Sequence, residues 1–137
     1  MLIPARRSGF TLIELIVVIA LLAVLAAVVA PNLLGKASDA NRQSAAIQLE
    51  KLSNAVELYR LETGRYPESL EDLVTQPQGV DRWKGPYVRK RSQLKDPWGN
   101  DLVIQQPGEH GKFDLISYGG DGQPGGEGDD ADINNWE

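Results

Sequence analysis

The stretch Arg-Arg-Ser-Gly-Phe-Thr-Leu-Ile-Glu-Leu at residues 6–15 opens a long apolar run, and from Leu15 to Ala30 the chain has no charged or polar side chain. As a helix, residues 10–30 would reach about 30 Å at ~1.5 Å per residue, which is the thickness of a bilayer core. A single segment can satisfy its backbone in lipid only as a helix. Two arginines and no acid precede the run, so we predict a cytoplasmic N-terminus with the rest of the chain across the membrane.

Glu14 is the one acid inside this apolar segment. Burying an acid at membrane depth costs on the order of 2.5–3.5 kcal/mol, so such a residue normally has a partner. One interpretation places Glu14 at the headgroup level, near a helix N-terminus whose dipole favours a negative charge. The alternative is a specific partner, which the neighbouring residues suggest.

The motif Ser8-Gly9-Phe10-Thr11-Leu12-Ile13-Glu14 resembles the prepilin peptidase site of type IV pilins and type II secretion pseudopilins. The resemblance implies that prepilin peptidase removes residues 1–9 by cutting between Gly9 and Phe10. It also implies N-methylation of Phe10 and a role in assembly for Glu14, which would become the fifth residue of the mature chain.

Cleavage at this site would give Glu14 a partner, because it creates a positive amine on Phe10. Opposite charges attract strongly in a low dielectric when they meet. Within one straight helix the amine lies about 6 Å along the axis from residue 14, whereas the amine of a neighbouring, axially shifted subunit can come closer. We therefore predict that Glu14 sets the register between subunits by neutralising a neighbour's amine.

Two other targeting signals explain less of the same segment. A cleaved secretory signal would end in a small-residue site, and Val28-Val29-Ala30 offers one, but Pro31 would follow the cut with no N–H and a fixed φ. A plain signal anchor explains the apolar run and leaves the Gly9-Phe10 junction and Glu14 without a role.

Composition limits the classes of function. The 137 residues carry a formal charge of −5, which becomes more negative when the leader and its arginines are removed. An acidic domain is a poor partner for nucleic acid. The chain has no cysteine and a single histidine, His110, which we expect to be solvated in a turn. The usual nucleophile–base pairs are missing from this composition, so we expect a protein that is not an enzyme.

The residues after the membrane segment indicate an α+β head. Five apolar residues spaced four, three, four and three apart predict one stripe on a helix that packs against a sheet. They are Ala45, Leu49, Leu52, Val56 and Tyr59. With Gly64 as its stop, one helix would run from Thr11 to Glu62. Pro31 and Gly35 flank the residues 32–34 within this helix. There we predict a kink or a locally melted turn.

Shorter elements complete the predicted head. Apolar spacing predicts a short helix within Glu68–Thr75, and loose alternation predicts strands at Leu102–Gln105 and Lys112–Ser117. The turn Gln106–Gly111 would join these strands into an antiparallel hairpin. The sequence Asp96-Pro97-Trp98-Gly99-Asn100 has the composition of a turn, and pseudopilins carry a similar Asp-Pro-Trp-Gly segment.

Residues 118–133, here called the acidic loop, are rich in aspartate and glycine. Alone they could form a disordered tail, but glycines permit tight wrapping, and clustered aspartates repel unless a cation lies among them. Calcium takes roughly six to eight oxygen ligands of this kind. The loop is not an EF-hand, because Gln123 and Gly125 stand where that motif carries Asp or Asn.

The pattern Gly119-Gly120-Asp121-Gly122, followed by Ala131-Asp132-Ile133, is similar to the C-terminal calcium loop of the major pseudopilins of type II secretion. The resemblance implies a bound Ca²⁺ that fixes the acidic loop against the sheet. The implied ligands, in order of preference, are Asp121, then Asp129 and Asp132, with Asp130 as the alternate and Tyr118 and Gln123 as carbonyl donors.

Over its whole length the chain resembles a major type II secretion pseudopilin. The implied domains are a leader at 1–9, a transmembrane and assembly helix at 10–34, and a periplasmic head at 35–137. The protein would cross the bacterial inner membrane once. It would polymerise into a helical filament that drives export of folded proteins across the outer membrane.

The implied partners are copies of the same chain, minor pseudopilins, the inner-membrane secretion platform and prepilin peptidase. Between copies, we hypothesise that Glu50 or Glu57 meets the basic patch Arg89-Lys90-Arg91. Three alternatives stay open: a type IV pilin, a minor pseudopilin and, from a different class, a signal-anchored periplasmic calcium-binding domain that keeps residues 1–9.

Overall fold

One long helix, α1, dominates the fold. The computed structural model describes residues 8–137, and at 32–34 it describes the backbone alone. Helix α1 spans Leu12–Thr63, 52 residues, within one residue of the predicted bounds at either end. The helical backbone continues through Pro31. Of the two outcomes predicted there, the locally melted turn is therefore wrong, because the proline removes one backbone hydrogen bond while helical bonds form on both sides.

The described chain falls into two compact units that divide between Lys36 and Ala37. In the first unit the large apolar side chains that the structure describes, from Phe10 to Val29, are exposed, with exposed fractions between 48% at Val18 and 89% at Phe10. Among the residues described, α1 is the one helix long and apolar enough to cross a membrane, judged by length and composition.

In the second unit, α1 supplies the predicted apolar stripe to the core. All five of its residues are at most 3% exposed. They cluster with apolar side chains from the sheet and the loops, among them Leu73, Leu115 and Ile133. The helix ends at Thr63, and the next residue, Gly64, has a φ of +84°, which suits glycine. The Gly64 N–H donates to the Arg60 carbonyl at 2.8 Å.

The sheet has three antiparallel strands in the order β1-β2-β3. They span Val103–Gln105, Asp114–Ser117 and Ile133–Asn134. Every residue of the central strand β2 is buried. The predicted hairpin is confirmed, with Ile104 opposite Leu115. Strand β3 was not predicted; it is two residues long and follows the acidic loop.

Short 3₁₀ helices occupy the connections, at Leu70–Leu73, Arg91–Leu94 and Gly128–Asp130. The first lies inside the predicted helix Glu68–Thr75, which is thus a single tight turn. Leu70 and Leu73 are buried there, as the spacing predicted.

The predicted turn at residues 96–100 is built on a buried carboxylate. Asp96 is 5% exposed, and its Oδ1 accepts the N–H of Trp98 at 3.1 Å and of Asn100 at 2.8 Å. Its Oδ2 accepts the Ser117 hydroxyl at 2.8 Å. These bonds attach the turn to β2 and hold Asn100 beside the acidic loop.

Candidate functional site

Two regions carry the candidate functional residues, and the first is the start of α1. Gly9 and Phe10 precede the helix, and both are exposed. The space beside Gly9 is open, since a Cβ there would meet no described atom within 4 Å. The bond between Gly9 and Phe10 is thus an exposed, non-helical peptide, which suits cleavage.

Glu14 forms a capping box with Thr11. The Thr11 N–H donates to Glu14 Oε2 at 2.8 Å, and the Glu14 N–H donates to Thr11 Oγ1 at 3.3 Å. This reciprocal pair satisfies two backbone donors at the helix N-terminus. The sequence carried the signal, a threonine followed three residues later by glutamate, and our sequence reasoning missed it.

The second region is the acidic loop, which connects β2 to β3. The loop closes on itself where the Gly120 N–H donates to the Asp129 carbonyl at 2.8 Å. A Cβ on Gly119 would lie 2.7 Å from that same oxygen, and a Cβ on Gly126 would lie 2.5 Å from the Asp130 carbonyl oxygen. Glycine is therefore required at both positions for the two halves of the loop to approach.

Two of the predicted ligands hold the loop's own backbone. Asp121 Oδ1 accepts the Gln123 N–H at 2.9 Å, and the Asp132 carboxylate accepts the Gly125 N–H at 3.0 and 3.1 Å. The loop brings all six predicted residues into one segment. Within residues 8–137, however, no three His, Cys, Asp or Glu side chains converge as a metal site.

The side chains of Asp129 and Asp130 are exposed, as is that of Asp121. Gly120 leaves room for one of these carboxylates, since a Cβ at that position would lie 3.0 Å from Asp130 Oδ1. The atoms of this loop that could ligate a metal are carboxylate and carbonyl oxygens, which are the ligands that Ca²⁺ prefers.

Two distant side chains attach the acidic loop to the head, and sequence reasoning found neither. Asn100 Nδ2 donates to the Gly119 carbonyl at 2.8 Å. An Nη of Arg42 donates to the carbonyls of Gly128 at 2.8 Å and Ala131 at 3.0 Å. Arg42 lies 86 and 89 positions from these partners, so no local pattern could have indicated the contacts.

An exposed apolar N-terminal helix that follows a Gly-Phe junction, joined to a small α+β head, defines a class: proteins that carry the prokaryotic N-terminal methylation motif, whose family model matches residues 4–30. A second family model, described as type II secretion system (T2SS), protein G, matches residues 32–136. The chain belongs to this family, and the predicted family and fold class are confirmed.

Curated relatives agree with this assignment. The type II secretion system core protein G of Vibrio cholerae serotype O1 is 42% identical over 96% of this chain and 92% of its own length. The core protein G of Pectobacterium carotovorum is 44% identical over 96% of this chain and 85% of its own length.

A solved structure is similar as well. The crystal structure of the major pseudopilin from the type 2 secretion system of enterohaemorrhagic Escherichia coli matches with a TM-score of 0.66 at 34% identity. The match covers 77% of this chain and 91% of that one.

Proposed function

We propose that this chain is the major structural subunit of a type II secretion pseudopilus, polymerising through α1 to drive export of folded proteins across the outer membrane. The observation that carries the proposal is the exposure of every large apolar side chain from Phe10 to Val29. Such a surface needs a cover, because apolar patches of this size are not left in water. Lipid covers it before assembly, and the helices of other copies cover it in the filament.

The leader and the topology follow from the same segment. Prepilin peptidase cuts between Gly9 and Phe10, Phe10 is N-methylated, and residues 10–34 lie in the inner membrane until assembly. The head at 35–137 lies in the periplasm, where the filament meets minor pseudopilins and the inner-membrane platform. The role is mechanical, and we propose no catalytic residue.

Glu14 joins one subunit to the next. The capping box joins Oε2 and the N–H of Glu14 to the N–H and Oγ1 of Thr11. Both residues lie beyond the cleavage point, so the box survives removal of residues 1–9. A carboxylate accepts several hydrogen bonds, and Oε1 stays available for the Phe10 amine of a neighbouring copy. In this proposal Glu14 caps its own helix and also neutralises a neighbour.

The test separates these two roles by substitution. Glu14→Gln keeps an oxygen that accepts the Thr11 N–H but loses the charge, whereas Thr11→Ala keeps the charge and costs about 1 kcal/mol of helix capping. We expect Glu14→Gln to abolish filaments seen by electron microscopy in cells that express the secretion system, and Thr11→Ala to retain them. Normal filaments from Glu14→Gln would reject the register role.

We further propose that the acidic loop binds Ca²⁺. Asp121, Asp129 and Asp132 are the preferred carboxylate ligands, with Asp130 as the alternate, and Tyr118 and Gln123 would contribute carbonyls. What supports the proposal is the all-oxygen donor set and the space that Gly120 leaves beside Asp130. The ion would supply positive charge that lets the carboxylates converge, and the chain's own residues would hold the loop against the sheet.

Some of the residues that we hypothesise to pair between copies already have partners within the chain. Glu57 Oε2 lies 3.7 Å from Arg60 Nη1, and Arg91 Nε donates to Glu71 Oε1 at 2.7 Å. Within the described residues, Glu50, Arg89 and Lys90 form no ion pair. We therefore favour Glu50 against Arg89 or Lys90, and charge reversal on both sides should restore an assembly that either single reversal weakens.

A further inference from the structure

The part of α1 at residues 37–44 has little to keep it helical. Its sequence, Ala-Ser-Asp-Ala-Asn-Arg-Gln-Ser, includes serine, aspartate and asparagine, which are weak helix formers because their side chains compete for backbone groups. None of these eight residues is buried, and the apolar stripe begins only at Ala45. Packing therefore does not stabilise this stretch as it stabilises residues 45–59.

Arg42 is the exception in this segment. Its guanidinium donates to the carbonyls of Gly128 and Ala131, at 2.8 and 3.0 Å. These carbonyls belong to the first residue of the 3₁₀ helix Gly128–Asp130 and to the residue that follows this helix in the acidic loop. In the described structure, no other hydrogen bond joins residues 37–44 to a part of the head outside α1. The contact thus joins a part of the head helix that has no buried side chain to the most glycine-rich part of the chain.

Arginine suits this contact better than lysine would. Both hydrogen bonds leave the same nitrogen, Nη1, and the planar guanidinium fork holds its N–H donors in fixed directions, whereas the lysine ammonium is a point charge on a flexible stem. It also brings a positive charge to a loop that contains Asp121, Glu127 and three further aspartates. A charged donor strengthens each hydrogen bond to a carbonyl oxygen.

We propose that Arg42 is a positioning residue that makes the order of the acidic loop and the order of α1 residues 37–44 one cooperative unit. When the loop is ordered, its carbonyls hold Arg42, and residues 37–44 of α1 stay helical although the buried stripe begins only at Ala45. When the loop opens, residues 37–44 lose their one polar anchor and fray. Coupling of this kind is reciprocal, so any cation that orders the loop also protects the helix segment.

The experiment is amide hydrogen exchange, read by mass spectrometry, on the full chain in detergent micelles. Arg42→Gln removes the charged fork, and Lys51→Gln is the matched control, since Lys51 is an exposed cation of α1 that makes no described hydrogen bond. In EDTA, we expect Arg42→Gln to speed exchange about tenfold in both 37–44 and 118–133 while 49–59 stays unchanged. Lys51→Gln should match the wild type throughout.

A second variant, Arg42→Lys, keeps the test decisive if Arg42→Gln unfolds as a whole. It keeps the charge and loses the fork, so exchange in 37–44 should lie between wild type and Arg42→Gln. Exchange in 37–44 that stays at the wild-type rate in Arg42→Lys, or in a folded Arg42→Gln, would overturn the proposal.

A calcium arm, which rests on the proposed Ca²⁺ site, tests reciprocity. Adding Ca²⁺ should slow exchange of both segments in the wild type, and only of 118–133 in Arg42→Gln. If Ca²⁺ slows neither segment in the wild type, the calcium site is wrong, and the comparison in EDTA still decides the coupling. If Ca²⁺ protects 37–44 equally in Arg42→Gln, Arg42 does not carry the coupling.

Discussion

Asp114 shows how one buried residue organises the end of the head. It is 1% exposed, and its Oδ2 accepts the N–H of Glu109 at 2.8 Å, the N–H of His110 at 3.1 Å and the His110 ring Nδ1–H at 3.1 Å. The His110 ring stacks on the Trp136 ring, with 4.0 Å between the ring centroids. His110, expected to be a solvated turn residue, therefore connects the hairpin turn to the end of the chain.

Burial acts to raise the pKa of Asp114, but the hydrogen bonds from the His110 ring and from the main chain of His110 and Glu109 outweigh burial and lower the pKa below its ordinary value. A lowered pKa means that the carboxylate stabilises the fold above its ordinary pKa of about 3.9, and that this stabilisation is lost as the pH falls through the lower folded value.

Removal of the His110 ring should weaken this site. We expect His110→Ala to destabilise the head at neutral pH by about 1 kcal/mol, because Asp114 loses a hydrogen bond and Trp136 loses its stacking partner. The Asp114 pKa should rise toward its ordinary value, so less stability is lost between pH 5 and pH 3. Thermal unfolding across this range measures both effects, with the exposed Glu109→Ala as the control. Identical curves for His110→Ala and the wild type would contradict the role of the ring.

At the scale of elements, helix α1 was predictable and its tertiary partners were not. The unbroken apolar run predicted the first half, because a single segment in lipid must be helical, and the periodic stripe from Ala45 to Tyr59 predicted the buried face of the second half. Strand β3 has two residues, too few to show alternation. The Arg42 contacts join positions 86 and 89 apart, and such pairings are set by the fold rather than by local sequence.

The two faces of α1 in the head should respond differently to truncation. Leu49 is 1% exposed and Leu61 is 82% exposed, so the same change to alanine leaves a cavity at one site only. We expect Leu49→Ala to destabilise the head by roughly 2–5 kcal/mol and Leu61→Ala by about 0.5 kcal/mol or less. Thermal or urea unfolding of the full chain in micelles gives both values. Equal losses at the two sites would show that the stripe is not the core.

In the whole molecule, a single chain leaves the apolar surface of its N-terminal helical segment uncovered. A head with its own core is joined in sequence to a helical segment whose large apolar side chains, from Leu12 to Val29, are exposed. The head has no cysteine and so no disulfide to stabilise it. A bound cation and neighbouring copies are the two remaining sources of stability that we propose for such a small domain.

Calcium should therefore change the stability of the head. A ligand that binds only the folded state adds about 2.7 kcal/mol at a hundredfold excess over its dissociation constant. We expect EDTA to lower the melting temperature and the protease resistance of the head, and Asp121→Asn to lower both and to remove the sensitivity to EDTA. Lys90→Gln, a change at an exposed residue outside the loop, should keep that sensitivity. A melt that is the same in EDTA and in Ca²⁺ would reject the calcium site.

We propose that a processed chain assembles through its N-terminal helix, and the intact mass of the subunit recovered from filaments is the sharpest test of this assembly. We predict a chain that begins at Phe10 and carries one methyl group on its amine. A filament subunit that still begins at Met1 would show that assembly does not need removal of residues 1–9.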